Sequence, residues 1–517
     1  MKKALLVIIL FSCVTGIAQF YSVSIYEKIA GDLGGFTAII DDEDWFGYSV
    51  EAIGDLDGDG INDVVVGALK DDDGGFNRGA IYVLFLNDEG QVQSYQKISD
   101  TEGGFDGVLD DWDIFGSSIS YLGDINNDGF VEIAVGAEYD GDGGLWHGAV
   151  WILSLASTGA VVSYVKISDT EGNFMADLGD EDVFGTDVEL LGDLNGDGNQ
   201  DIAVSARRDP DGGSDRGAVY ILFLNADLTV NDYQKISDTQ GGFEGVLEEQ
   251  DYFGGSVANI GDLNGDGVID LAVGAYRDDD GGLNRGAVYI LFMNADGTVE
   301  DYQKISDTEG NFNAEFNDEM FFGISVDLSR DINGDGLTEI VVGARGYENQ
   351  EGPNFGTFFI LNLNIDGTVA SYVQYTEGLN HFNGDISPGD SFGFSVSYIG
   401  ALTEMDSFVV GAFSDDEGGV EKGSVWVLQL GEVLSIEEID ENLGISLFPN
   451  PTRNSFSLDR VDGISSIKVY DLYGRLVVKF SDVSDNLFNV SYLPVGEYII
   501  VAAGTEGNLS SFKLIKK

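Results

Sequence analysis

Oxygen-bearing side chains recur in this 517-residue sequence at a spacing suited to holding a hard cation. The first set is Asp55, Asp57, Asp59 and Asp63, with the backbone carbonyl of Ile61 at the seventh loop position. Side chains at positions one, three, five and nine, with a carbonyl at seven, converge on one ion where Gly60 permits the tight bend. A flexible array of oxygens favours Ca²⁺ over Mg²⁺, which demands stricter octahedral order. The pattern returns as Asp124, Asn126, Asp128, Phe130 and Glu132, then as Asp193, Asn195, Asp197, Asn199 and Asp201. It returns again as Asp262, Asn264, Asp266, Val268 and Asp270, and finally as Asp331, Asn333, Asp335, Leu337 and Glu339. Asp and Gly are ordinary turn residues, so one such loop says little. Five loops in phase, each just before an apolar strand, say much more. Without a cation their clustered carboxylates repel one another, so metal binding is expected to be coupled to stability. A sixth loop, Ala401 to Phe408, lacks the first, third and fifth ligands, and about five Ca²⁺ ions are therefore expected.

The elements that position these loops are repeated with them. Phe-Gly pairs begin at Phe46, Phe115, Phe184, Phe253, Phe322 and Phe392, at intervals of 69 or 70 residues. Each unit reads as short β-branched and aromatic runs separated by Gly, Asp and Asn, which means strands and turns. Four strands per unit make a propeller blade, and blades must stack because a lone sheet cannot bury both faces. The sequence predicts an all-β, six-bladed β-propeller over 19–430, followed by a small C-terminal β-sandwich. The sixth unit stops after its third strand, Gly423 to Leu430, while Tyr21 to Ile29 matches a fourth strand, so the start of the chain is expected to close the last blade. The small residues of Val66-Gly67-Ala68 and its repeats suit inner strands crowding a central channel. Arg78, Arg216 and Arg285, with Lys97, Lys166, Lys235 and Lys304, read as surface charge balance and edge protection.

Asp and Glu number 91 against 25 Lys and Arg, a formal charge of −66, which repels nucleic acid and anionic polymers and attracts divalent cations. Most of that excess fits a hydrated surface. Residues 1–18 read as a secretory signal, with Lys2 and Lys3, an apolar core from Ala4 to Phe11, and a small-residue site at Gly16 to Ala18. Cys13 behind the apolar run leaves a lipoprotein signal as the rival. It is the only cysteine, so no disulfide can staple the mature fold. No other apolar run approaches the roughly 18 residues of a membrane-spanning helix, and a soluble body with no transmembrane segment is expected.

The Phe-Gly pairs, the Asp-x-Asp/Asn-x-Asp-Gly loops and the Val-Gly-Ala turns resemble FG-GAP repeats, the blades of the integrin alpha-subunit propeller. That resemblance implies calcium in the loops on one face of the ring and contacts with proteins or other ligands on the opposite face or rim. The blade period is longer than usual, and six units replace seven. After an acidic linker at 431–440, residues 441–517 carry Leu447 to Pro451, Ile467 to Leu476, Leu493 to Ile500 and a basic tail. This segment resembles the type A sorting domain of the type IX secretion system of Bacteroidota. The resemblance implies recognition by that secretion machinery, passage across both membranes, and release or attachment to surface lipopolysaccharide.

Catalysis should show as a local break in the repeats. The breaks are His147 beside Trp146, His381, and Arg207-Arg208-Asp209-Pro210; none assembles a triad, a zinc site or a carboxylate pair. Asp111 to Asp113 and Trp45 place aromatic rings beside polar groups, as sugar sites do, or simply cover a blade edge. The favoured expectation is a secreted or cell-surface calcium-binding propeller for adhesion or for binding protein or glycan ligands. The alternatives are an extracellular polysaccharide hydrolase or lyase, and a structural surface component.

Overall fold

The computed structural model describes residues 21–332, 336–348, 354–402, 405–432, 447–459, 461, 464–470, 476–480, 483, 486–504 and 509–517. The signal segment 1–18, most of the 431–440 linker, the first residues of the 441–517 segment, and Asn333 and Asp335 of the fifth loop lie outside the described residues. The chain divides into two compact units, one holding Ile25–Gln429 and the other Leu430–Lys517 together with the short segment Gln19–Ser24.

The first unit is all β. Six four-stranded antiparallel sheets follow one another among its described residues. Blade one is representative, with strands Phe46–Gly54, Asp63–Ala68, Ala80–Leu86 and Val92–Ser99 in that spatial order. The two middle strands are buried at every position, which a sheet achieves only when both faces are covered. Neighbouring blades do the covering: Ile53, Val65 and Val83 of blade one share a core with Phe105, Phe115 and Trp151 of blade two. Each Phe of a Phe-Gly pair also packs against a Phe ten residues earlier, as in Phe36–Phe46 and Phe105–Phe115 with ring centroids 5.0 and 5.3 Å apart.

The sixth sheet has the order Tyr21–Ile29, Ser424–Glu432, Asp406–Ala412, Val396–Ala401, so the first strand completes the last blade as the sequence implies. Blade six then joins blade one. Phe46 donates its N–H to the Lys422 carbonyl at 2.9 Å, the same bond that Phe115 makes to Arg78 and Phe253 to Arg216. A core of Phe46, Val64 and Tyr82 with Val409, Val425 and Val427 spans that junction. The glycine after each Phe makes the approach possible. Gly47 has φ of 90°, and a Cβ there would lie 2.4 Å from the Ser424 carbonyl oxygen.

The second unit holds two antiparallel sheets. Leu447–Phe448, Ser455–Leu458 and Leu487–Asn489 form one; Leu476–Phe480, Ile464–Tyr470, Gly496–Gly504 and Leu509–Lys516 form the other. Phe456, Ile467, Val469, Phe488, Ile500 and Leu514 fill the core between them, making the small sandwich the alternating pattern predicts.

Candidate metal loops and the central channel

Within each blade the antiparallel register fixes where the acidic loop lies. Phe46 pairs with Ala68 at one end of the inner hairpin and Gly54 with Asp63 at the other, so residues 55–62 form the turn at the Gly54 end. Asp55, at the first position, accepts from Gly58 N–H at 2.8 Å and Gly60 N–H at 2.9 Å, folding the loop around its own carboxylate. Asp63, at the ninth, opens the next strand and accepts from Leu56 N–H at 3.0 Å and Leu86 N–H at 3.2 Å. Oxygens of Asp55, Asp57 and Asp63 fall within 4.8 Å of one another, close enough to share one ion. Asp59 turns one oxygen to the Ile61 N–H at 2.8 Å.

The next three loops repeat this frame with an amide at position three. Asp128, Asp197 and Asp266 N–H groups donate to Asn126, Asn195 and Asn264 at 2.9, 2.8 and 2.8 Å. Gly129, Gly198 and Gly267 donate to Asp124, Asp193 and Asp262 at 3.1, 3.0 and 2.9 Å. Position-seven amides of Phe130, Asn199 and Val268 donate to the fifth-position carboxylate at 2.9, 2.8 and 2.8 Å. Glu132, Asp201 and Asp270 at position nine are fully buried. In the fifth loop Asp331 accepts from Gly336 at 2.9 Å and Glu339 from Ile332 at 2.8 Å, with Leu337 between them. Burial pushes the Asp63 carboxyl up to about 7, and those of Asp201 and Asp270 up to about 6, with the neighbouring loop carboxylates adding to each. Such donors, all oxygen and short of positive charge, fit a divalent cation.

Blade six shows what replaces the loop. Asp406 opens its second strand where Asp63 opens that of blade one, and it is 4% exposed. Arg330 of blade five reaches it with Nε at 2.6 Å, and the Tyr398 hydroxyl donates to the same carboxylate at 2.6 Å. The ninth-position acid thus remains where the other ligands are gone, and a guanidinium supplies its positive charge. Sequence reading noted the missing ligands and missed this compensation.

The basic residues read as surface charge are built in more deeply. Lys97 is 15% exposed and ion-pairs with both Asp71 and Asp73 at 2.7 Å; Lys166, Lys235 and Lys304 clamp the equivalent pairs. They are struts inside the blade, each over an aromatic ring such as Tyr82 or Trp151. In blade six the strut comes from the first strand, where Lys28 meets Asp415 at 2.7 Å. Arg78 joins Asp100 of its own unit to Asp111 of the next approach at 2.8 and 3.1 Å. His147 takes that position in blade two, 3.4 Å from Asp169 and 3.3 Å from Asp180, which makes it a variant of the strut arginine. His381 is exposed on its loop. Trp112 is half exposed and packs edge-on against Phe76, whereas Trp45 stacks under Lys70, whose Nζ is 3.2 Å from the ring centre.

Along the channel the inner strands stitch blade to blade. Glu51 accepts from Tyr121 N–H at 3.1 Å, Asp187 from Val257 at 2.8 Å, Glu189 from Asn259 at 3.3 Å and Asp327 from Tyr398 at 2.8 Å. Ser325 and Ser395 do the same for Val396 and Val50. These side chains satisfy the edge N–H groups of strands whose inner side has no sheet partner. Burial, with the carboxylates' mutual repulsion, lifts Glu51 and Glu189 well above the usual carboxylate range and Asp187 to about 7, and burial lifts Asp327 to about 6. Sequence reading missed all four acids, because single acids in apolar runs carry no motif.

Comparison with known proteins agrees with this architecture. The FG-GAP repeat family matches residues 46–84, 184–222 and 322–359, a second FG-GAP repeat family matches 247–292, and the secretion system C-terminal sorting domain matches 446–517. Integrin alpha-5 of Xenopus laevis is 30% identical over 239 residues, 46% of this chain and 20% of the relative. Integrin alpha-PS5 of Drosophila melanogaster is 36% identical over 164 residues, 32% of this chain and 15% of its own. Human integrin alpha-7 is 35% identical over 170 residues, again 32% of this chain and 12% of its own. The match spans a fifth or less of each of these relatives. Phe-Gly blades closed by the first strand, with a sandwich after them, belong to a chain of FG-GAP repeats followed by a secretion-system C-terminal sorting domain.

Proposed function

We propose that this protein is a calcium-loaded adhesion propeller, delivered to the cell surface or released from it by the type IX secretion system through its sorting domain. What carries the calcium reading is the contrast between blades. Where the loop ligands are missing, Arg330 supplies positive charge to Asp406. At Asp63, Glu132, Asp201 and Asp270 the same buried position has no Lys or Arg ion pair among the described residues, so a cation from solution fills that role. Asp55, Asp57, Asp59 and Asp63 with the Ile61 carbonyl, and their counterparts in four further loops, would hold about five Ca²⁺ ions. The metal is structural in this reading, clamping the inner hairpins so that the ring offers a rigid face.

Adhesion is supported by the integrin alpha likeness and by the sorting domain, which together suit a repeated, exported scaffold. The export signal at 1–18, the linker at 431–440 and removal of 441–517 belong to the same proposal. N-terminal and C-terminal mass determination of the secreted protein tests these boundaries.

Calorimetric titration should show about five calcium sites, and Asp57→Asn should weaken one of them about tenfold or more, roughly 1.4 kcal/mol. The unfolding midpoint should rise with calcium and fall with chelator. A glycan and protein array probed with calcium-loaded and chelated protein tests adhesion. No stoichiometric calcium would end the metal reading, and no calcium-dependent ligand would end the adhesive one.

A further inference from the structure

The channel has two chemically different ends. The acidic loops lie at the Gly54, Gly192 and Gly261 end of the inner hairpins, and the Phe-Gly pairs lie at the other, where Phe184 pairs with Ala206 and Phe253 with Ala275. Immediately after the small residues at that second end the repeat stops repeating. The residue following each terminal Ala is Leu69, Glu138, Arg207, Tyr276, Arg345 or Phe413, a different side chain in almost every blade. Strand packing does not require such variety, since the flanking strands are nearly identical.

A cavity of about 470 Å³ is lined by four of these residues, Arg207, Tyr276, Arg345 and Phe413. Three arginines line it, and they are not equivalent. Arg207 is neutralised by Glu138, to which it is bidentate, and it also donates to the Thr186 hydroxyl at 3.1 Å. Arg277 and Arg345 take part in no ion pair among the described residues, and the Nε of each is buried without a hydrogen-bond partner. Each is held in place by a ring instead: Arg277 lies over Tyr252 at 4.7 Å and Arg345 over Phe321 at 4.3 Å. Burial lowers the Arg345 guanidinium below its ordinary value, and Arg277 works in the same direction. Two unpaired, partly desolvated guanidiniums in a chain of formal charge −66 are an expensive arrangement unless something anionic meets them.

The same cavity provides the rest of a binding site. Tyr48, Tyr276 and Phe394 are only partly buried there and offer ring faces. Glu51, Asp187, Glu189 and Asp327 line it as well, acceptors suited to hydroxyl donors. An inorganic anion would use the arginines and be repelled by the acids. A polyanion would face the field of the whole molecule. A small molecule with one oxyanion and several hydroxyls on a ring satisfies all three surfaces.

We propose that this end of the channel binds a singly charged sugar acid, its carboxylate or sulfate between Arg277 and Arg345, its ring against the tyrosines and its hydroxyls toward the acids. This deepens the adhesive reading by naming a ligand class, and it rests on that reading only for its biological use. Free D-glucuronate and terminal glucuronate on a glycan share this chemistry, as does a sulfated sugar.

The test is calorimetry on the full secreted chain with calcium present, using D-glucuronate, glucose 6-sulfate and glucose as probes. Binding of glucuronate or the sulfated sugar, with glucose at least tenfold weaker, is expected. Arg345→Gln with Arg277→Gln should lower acid binding at least tenfold while calcium stoichiometry is kept, and Arg345→Lys should recover part of it. Should the double variant fail to fold, competition decides: glucose 6-sulfate displacing glucuronate from the unaltered protein where glucose does not supports the site, and no displacement by glucose 6-sulfate overturns it. Equal binding of glucose and glucuronate, or none of either acid, also overturns it. Array binding that survives in the double variant would leave adhesion standing and separate it from this cavity, whereas glucuronate binding without array binding would do the reverse.

Discussion

Arg330 and Asp406 show how one residue can stand in for an ion. In the five acidic loops the ninth-position carboxylate is buried among backbone donors, and in blade six that carboxylate is kept while a guanidinium completes its surroundings. Arg330→Gln should therefore destabilise the propeller by about 1–2 kcal/mol, a figure kept modest because the arginine is 55% exposed. The loss should be the same with calcium or chelator, whereas Asp57→Asn should lower stability with calcium present and, by relieving carboxylate repulsion, leave it unchanged or raise it in chelator; urea unfolding in both conditions separates the two. The pairing was hidden in the sequence because Arg330 and Asp406 lie 76 residues apart in different blades and share no motif. The acidic loops were plain, since ligand types, glycines and strand starts recur together. Lys97 and its equivalents were visible as a repeat but misjudged: strand alternation places them on the outer strand, and only the curl of Asp71 and Asp73 back over that strand buries them.

Among the elements, the inner strands are the least like ordinary sheet. Their channel edge has no neighbouring strand, and carboxylates or hydroxyls from the preceding blade take up its N–H groups. Strand order and the blade period could be read from apolar runs and turns, but this cross-blade stitching could not, because it depends on which face of a crowded strand turns to the axis. It has a measurable price in pH. Asp187 sits among Glu51, Glu189 and Asp327, and its folded-state carboxyl is raised to about 7 chiefly by burial. A raised acid favours folding while protonated, so its contribution is present below about pH 4 and is lost as pH climbs toward 7. Asp187→Asn keeps an acceptor for Val257 without the charge. The variant should match the unaltered protein near pH 4 and exceed it by on the order of 2 kcal/mol at pH 8, as read by denaturant titration across that range. No difference across the range would mean that the carboxylate is better solvated than its burial implies.

For the whole molecule, the decisive element is the strand Tyr21–Ile29. It supplies the fourth strand of blade six, buries Val23 and Ile29, and carries Lys28 to Asp415. Deleting these nine residues should lower the melting temperature by about 5 °C or more and leave the sandwich unit's own transition in place, measured by calorimetry. A synthetic peptide of the same sequence should restore part of the loss. This closure could be anticipated because the sixth unit ends one strand short and the opening residues match the missing one. Its consequence reaches past a single copy. The strand Tyr21–Ile29 must wait for partners about 400 residues further on, and until it docks Ser424–Glu432 presents a bare edge that the same segment of another copy can fill. Crowded, half-assembled chains can thus trade their leading strands and link into chains of exchanged partners, which makes slow, dilute refolding the condition under which each ring fastens upon itself.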